Sequence, residues 1–299
     1  MKSTKKENQN ISFKEYKPRK YDKLESSAKL ETKHIGKSNL LLSHYDSTND
    51  EHYKILDTLS LEFLKFQNLD SLKLLYNIPV KWVGTINYNI RKPSFVIIHH
   101  TAQNSCDQTL MTFTKHRTKV SAHYVICKDG TVYQMLNDYL RAWHAGISKW
   151  GDINDLNSTS IGIELDNNGS EPFDSAQINS LLKLLEILKN KYQIPTANFI
   201  GHGDIAPIRK NDPSIFFPWE KLGNMGFGLW TTINDSTEIK FVLPKNVALN
   251  FFGFDIKDSV AAWRAFKRHF MQDTAASIVT FNDSITLQKL VNKKYSLKE

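Results

Sequence analysis

Histidines stand at the ends of two runs that read as core strands. The first is FVIIHH, residues 95 to 100, where four apolar residues lead straight into His99 and His100. The second is FIGHGD, residues 199 to 204, which leads into His202. Ten residues after His202, in HGDIAPIRKNDP, comes Asp212. Two imidazoles and one carboxylate are the ligand set of a catalytic metal that keeps a position open for water. The trio suits zinc, and it also suits non-haem iron. Sites in open α/β sheets tend to lie at the carboxyl ends of strands, where these residues fall. Along a strand, Phe95, Ile97 and His99 face one side, while Val96, Ile98 and His100 face the other. Only one of the two adjacent histidines can easily point at a metal, and periodicity does not say which. Any one of these histidines alone is more often structural; the group is what points to a site.

The surrounding elements must position them. SFVIIHH and SIGIEL read as short strands. AHYVICKDGTVYQML reads as a hairpin, because two β-rich runs flank Lys128-Asp129-Gly130 and Asp-Gly is a strong turn signal. NSCDQTLMTFTKH reads as a helix with Asn104 or Ser105 as its N-cap. SAQINSLLKLLEILKNKYQI carries one apolar stripe, Ile178, Leu181, Leu182, Leu185 and Leu188, with Asp174 or Ser175 to cap it. Strands alternating with helices predict an α/β fold, with a mixed central β-sheet because the hairpin is antiparallel. Upstream, residues 51 to 76 read as one or two helices, and VKWVGTINYN as a strand or extended lead-in. After Trp230 the pattern changes to three short helices, PKNVALNFFGF, IKDSVAAWRAFKRHFM and NDSITLQKLVNKKY. Val260, Trp263, Phe266 and Phe270 fall on one helical face. A module of this size is marginal alone, so docking on the main domain is expected.

The chain has 299 residues, 40% apolar and 23% charged, which reads as globular. No apolar run approaches the roughly 20 residues of a membrane span. Of the net charge of +8, +6 lies in residues 1 to 40, so the basicity belongs to an arm rather than to the main domain. Such an arm could touch nucleic acid, an anionic membrane or an acidic wall polymer, but its few large apolar residues read first as a solvated, disordered segment. Cys106 and Cys127 form no metal-type spacing and no disulfide framework, and are expected as two free, buried structural thiols. The opening MKSTKKENQN lacks the apolar stretch of a signal peptide.

Five segments, in order, resemble the zinc-dependent N-acetylmuramoyl-L-alanine amidases, whose fold is shared with the peptidoglycan recognition proteins. They are VIIHHTAQ, SAHYVICKDGTVYQM, AWHAGISKW, LNSTSIGIELDNNG and IGHGDIAPIRKNDPSIFFPW, within about residues 93 to 230. The resemblance selects His99, with His202 and Asp212, as the Zn2+ ligands, and leaves His100 orienting or structural. It implies that Glu164 is the general base and then acid, and that Lys210 steadies the oxyanion. Trp143 and His144 resemble a substrate-binding groove wall. His123 and Tyr124 read as support on the hairpin. Arg209 either meets a carboxylate of the stem peptide or pairs locally.

The expected organisation is a basic arm at 1–40, a helical lead-in of unknown role at 41–92, a zinc amidase domain at 93–232 and a helical module at 240–299. That module is similar, more loosely, to a small peptidoglycan-binding domain, through AAWRAFKRHF and NDSITLQKLV. The implied reaction is hydrolysis of the amide between N-acetylmuramic acid and L-alanine of the stem peptide. The implied partners are peptidoglycan or muropeptide fragments, with no nucleic acid and no membrane span. The substrate favours the cell envelope (periplasm, outer membrane or outside), and the cytoplasm is the alternative. Two rivals stand beside this reading. A non-catalytic muropeptide-binding module of the recognition-protein type should lack metal ligands, and an iron oxygenase would leave Lys210 and Glu164 unexplained.

Overall fold

Strand β1 (Phe95–His100) is buried at all six positions, as a central parallel strand covered on both faces must be. In the computed structural model, which describes residues 38–64, 92–273 and 279–296, it pairs in parallel with β4 (Ser160–Leu165) on one side and β5 (Phe199–Gly201) on the other. Beyond β4 lies β2 (Tyr124–Ile126), also parallel, and β3 (Val132–Gln134) closes the edge antiparallel to β2. The order is β3-β2-β4-β1-β5, so the sheet is mixed, as the hairpin required. The turn depends on Gly130, whose φ is +87° and whose Cα approaches the backbone at Ala176 so closely that a Cβ would sit 2.8 Å from the Ala176 carbonyl oxygen.

Helix α2 (Cys106–Phe113) starts where Ser105 accepts the Gln108 N–H through its hydroxyl. Helix α3 (Ser175–Tyr192) lays Ile178, Leu181, Leu182, Leu185 and Leu188 on one face of the sheet, against Val96 and Ile98. Asp174 holds its N-cap position without a side-chain hydrogen bond. The short helices α4 (His202–Ile205) and α5 (Trp219–Asn224) follow β5.

The opposite face of the sheet is covered by the C-terminal helices α6 (Lys245–Phe252), α7 (Ser259–Phe270) and α8 (Phe281–Ser296). Phe252, Trp263, Phe266, Phe270 and Leu290 share one buried cluster with Phe95, Ile97, Trp150, Ile200 and Ile205. The result is three layers, with α3 and the C-terminal helices on either side of the sheet. Of the helical face read from the sequence, Trp263, Phe266 and Phe270 are buried, whereas Val260 is 58% exposed. Val260 sits in the first turn, where Asp258 caps the helix by accepting the Val260 and Ala261 N–H groups. Within that turn Ala261 and Ala262 face the core and Val260 points away from it.

Cys106 and Cys127 are not free thiols but a disulfide, with Cα atoms 5.4 Å apart. They lie 21 residues apart in sequence, and they meet because α2 packs on β2. Helix α1 (Ser38–Leu64) belongs to a separate compact unit and exposes Tyr53, Ile55 and Leu59. It begins inside the segment read as the arm. The remainder of the arm, the helical reading at 65–76 and the strand reading at 80–89 lie outside the described residues. Among the described residues no helix is long and apolar enough to cross a membrane.

The shared core predicts shared unfolding. Phe266→Ala empties a site that is 0% exposed and should cost about 3–5 kcal/mol. In denaturant, probes in the sheet and in α7 should shift together in one transition. Two separated transitions would mean that the helices fold as an independent body.

Candidate active site

The parallel register builds the site. His99 on β1 stands opposite Glu164 on β4, and Ile98 opposite Gly201 on β5, so the residue after Gly201, His202, comes level with His99. The chain then turns through α4 and returns, and the Gly203 N–H donates to the Asp212 carbonyl at 2.6 Å. This brings Asp212 back beside His202.

Three buried ligand atoms meet there. His99 Nδ1, His202 Nδ1 and Asp212 Oδ2 are each 3.0 Å from the other two. This spacing and donor set suit one small cation with bonds of about 2.0–2.2 Å. Among the described residues, no other group of three or more His, Cys, Asp or Glu side chains is arranged to hold a metal. His202 turns its other nitrogen, Nε2, to the Ala145 carbonyl at 3.2 Å, and a carbonyl can only accept. A proton on Nε2 would satisfy that carbonyl and leave the Nδ1 lone pair facing the triad, while the Arg209 guanidinium, a donor only, lies farther off at 3.5 Å.

The titratable groups of the site are shifted in different directions. Burial, and then the neighbouring His202, push His99 down to about 4. At Asp212 burial favours the neutral acid, yet the His202 and His99 contacts together outweigh it and hold the carboxyl well below its usual range. Glu164 behaves in the opposite way. Burial, reinforced by the Asp212 charge and opposed by Lys210, pushes it up to about 8. Its Oε2 is buried with no protein partner. A buried carboxylate oxygen left without a partner is costly, and such groups cluster at functional sites.

These residues line a cleft of about 350 Å³ together with Lys210 and Trp143. Trp143 is half exposed on the wall, its backbone held on both sides by Ser121. His144 is buried on the floor, behind His99, with its Nδ1 3.0 Å from His99 Nε2. Arg209 also borders the cleft, but its guanidinium donates to the Ala145 and Ile147 carbonyls. It also lies 3.5 Å from His202 Nε2. His100 faces away from the triad, and its Nδ1 accepts the Ser214 N–H at 3.0 Å, which pins the loop carrying Asp212. His123 supports the floor, accepting the Gly162 N–H and donating to the Leu140 carbonyl.

Several contributors escaped the sequence reading. Asn157 Oδ1 accepts both the His144 and Ala145 N–H groups. Asp204 Oδ2 accepts the Gly201 N–H at 2.7 Å and pairs with His269 of α7, whose ring stacks on Trp219 at 3.7 Å. Asn157 lay in LNSTSIGIEL, where a polar residue just before a buried strand was a usable signal. Nothing local marked His269, because its partner is 65 residues away.

Known proteins are similar to this chain in sequence and fold. Residues 89–215 match the family described as N-acetylmuramoyl-L-alanine amidase. The amidase AmiD of Escherichia coli is 34% identical over 209 residues, covering 58% of this chain and 74% of that protein. The chain belongs to the N-acetylmuramoyl-L-alanine amidase family. The 1,6-anhydro-N-acetylmuramyl-L-alanine amidase AmpD of Haemophilus influenzae is 39% identical over 107 residues, 36% of this chain and 58% of that protein. Among solved structures, E. coli AmiD bound to anhydro-N-acetylmuramic acid-L-Ala-D-gamma-Glu-L-Lys superposes with a TM-score of 0.57 at 29% identity, over 71% of this chain and 93% of that one. AmpDH3 of Pseudomonas aeruginosa, in complex with anhydromuramic pentapeptide, gives 0.61 at 28%, over 74% and 97%. The matched share of this chain exceeds the catalytic segment read from sequence, as a fold with α6 to α8 built into it requires.

Glu164 should leave a mark on stability in metal-free protein. Its folded pKa lies above its unfolded value, so between about 4.5 and about 8 the folded state binds the extra proton. Stability from this group therefore falls as pH rises through that window. Subtracting the pH–stability curve of Glu164→Gln from that of the parent should isolate the decline. A flat difference would show that Glu164 ionises as it does in water.

Proposed function

We propose that the chain is a zinc enzyme that hydrolyses the amide between the lactyl carbonyl of N-acetylmuramic acid and the L-alanine of the stem peptide. The observation that carries this is one cleft holding an open two-histidine, one-carboxylate triad beside a buried, unpartnered Glu164. The muropeptides bound by the related structures fit the same class of substrate. Zinc at such a triad lowers the pKa of a bound water toward ~7 and polarises a carbonyl.

The rest is done by the chain's own groups. Glu164 takes the proton of the attacking water at its free Oε2 and passes it to the departing alanine nitrogen. Lys210, on the loop that carries Asp212, places its charge near the developing oxyanion. His99, His202 and Asp212 hold the metal, and Trp143 offers an apolar wall to the substrate. A purely binding module would have no use for a carboxyl kept buried without a partner.

The envelope is the proposed location. Disulfides persist in oxidising compartments, and Cys106–Cys127 ties α2, which walls the cleft, to the end of β2. We also read residues 240–299 as a layer that holds peptidoglycan while it closes the fold. Support comes from the outward aromatics Phe251 and Phe281, at 44% and 78% exposure. Deleting the segment would strip the sheet's second face, so surface changes are the test. Phe251→Ser with Phe281→Ser should weaken pelleting with insoluble peptidoglycan and leave turnover of soluble muropeptide intact; equal pelleting removes the binding role.

The catalytic reading is tested by a pair of variants. Purified chain should hold about one zinc, as expected for a single site of this type. Glu164→Gln should keep the metal while turnover of a muramoyl peptide falls about 10²–10⁴-fold. Asp212→Ala should lose metal and rate together. Activity that survives chelation, or a Glu164→Gln variant at the parent rate, would defeat the assignment.

A further inference from the structure

An imidazole can ligate through Nδ1 only if its proton sits on Nε2. For His202 the Ala145 carbonyl, an acceptor 3.2 Å from Nε2, favours this directly. His99 has no carbonyl at its Nε2; it has another imidazole, His144, whose neutral ring could either accept or donate. We propose that His144 and Ser160 are positioning residues that lock His99 into its Nε2–H tautomer and so keep the Nδ1 lone pair on the triad. This inference rests on the metal-site reading above.

The direction follows from the far end of the chain of contacts. The Ser160 hydroxyl lies in close contact with the Leu156 carbonyl oxygen. That oxygen has no proton, so the Ser160 O–H donates to it. A hydroxyl has one proton, so toward His144 Nε2, at 3.3 Å, Ser160 can only accept. His144 Nε2 must then carry a proton, and its Nδ1 must be the acceptor. His144 Nδ1 lies 3.0 Å from His99 Nε2, which therefore donates. One acceptor-only backbone oxygen thus sets Nε2–H on two rings in turn and directs the His99 Nδ1 lone pair toward the triad; Asp212 Oδ2, 3.0 Å from that nitrogen, pulls the proton the other way, and the relay acts against it.

The relay is built rigidly. The His144 ring lies on the backbone of β4 at Gly162, where a Cβ would come within 2.4 Å of the ring. Only glycine fits beneath it. The backbone N–H groups of His144 and Ala145 are both held by Asn157 Oδ1, at 3.0 and 2.8 Å. One dipeptide therefore serves both ligands, with the His144 side chain behind His99 and the Ala145 carbonyl behind His202. Groups that orient a ligating histidine in this way typically change metal affinity 10–100-fold when removed.

The test reads the tautomers directly. Metal-free chain with 15N-labelled histidine is examined by two-bond proton–nitrogen correlation, above the titration range of the rings. In the parent, His99 and His144 should both be Nε2–H. Ser160→Ala frees His144 to turn its proton around, so both rings should gain Nδ1–H population. Zinc affinity, by competition with a chelator, should fall about 10-fold or more. An Nδ1–H form of His99 in the parent overturns the proposal whether or not the variant folds. So does a Ser160→Ala variant that loses thermal stability but keeps parent tautomers and zinc affinity, the result a packing role gives. A parent chain that binds no zinc would defeat the metal reading instead, while the tautomer measurement would still decide the relay.

Discussion

Two imidazoles and a carboxylate crowded 3.0 Å apart in the protein interior form an unstable arrangement unless something decides where the protons go. Taking a charge out of water costs several kcal/mol per ion even after relaxation. The interior offsets this at Asp212 with two imidazole contacts rather than with a lysine or arginine pair. The consequence is a compact cluster of nitrogen and oxygen donors in which each ring proton has two candidate positions, toward Asp212 or outward. A metal dication would displace a proton from the inner nitrogens, and the Ala145 carbonyl offers the His202 proton an outward acceptor.

The sheet makes that crowding achievable. Parallel strands end at a common edge, and the β1–β4 register sets Glu164 beside His99 without further construction. Glu164 then occupies the position where burial is deep enough to raise its pKa and the Asp212 charge raises it further. The same edge therefore yields two carboxyl groups with opposite behaviour. One is held ionised by its imidazole partners, and the other is poised to carry a proton. Environments that push two titratable groups apart are how acid–base roles are assigned at a single site.

The C-terminal helices contribute to this geometry. They seal the second face of the sheet, and α7 sends His269 to Asp204, which in turn holds the Gly201 N–H next to His202. Arg268 packs where a Cβ on Gly203 would come within 2.6 Å. The loop that presents His202 and Asp212 is thus braced from behind by a helix more than 45 residues downstream. This explains why the segment from α6 onward shares a core with the catalytic sheet.

How much of this was legible depended on distance along the chain. Strands, the Asp-Gly hairpin and the stripe of α3 follow from periods of two and about 3.6 residues, which are local. The ligand set was legible as residue types at strand ends, because strand ends in α/β sheets share an edge. Choosing His99 over His100 was not, since period two only puts them on opposite faces; the packing of helices on each face decides which one meets His202. The sequence made Cys106 and Cys127 look like free thiols, and only the docking of α2 on β2 brings them into a bond. The resemblance put His144 on a groove wall beside Trp143, and only the folded chain shows it buried between His99 and Ser160. The sequence by itself determined the elements and the chemistry available. The tertiary structure decided pairing and support, because those depend on contacts such as Ser160 with His144 and Ser214 with His100, 16 and 114 positions apart, which no local pattern encodes.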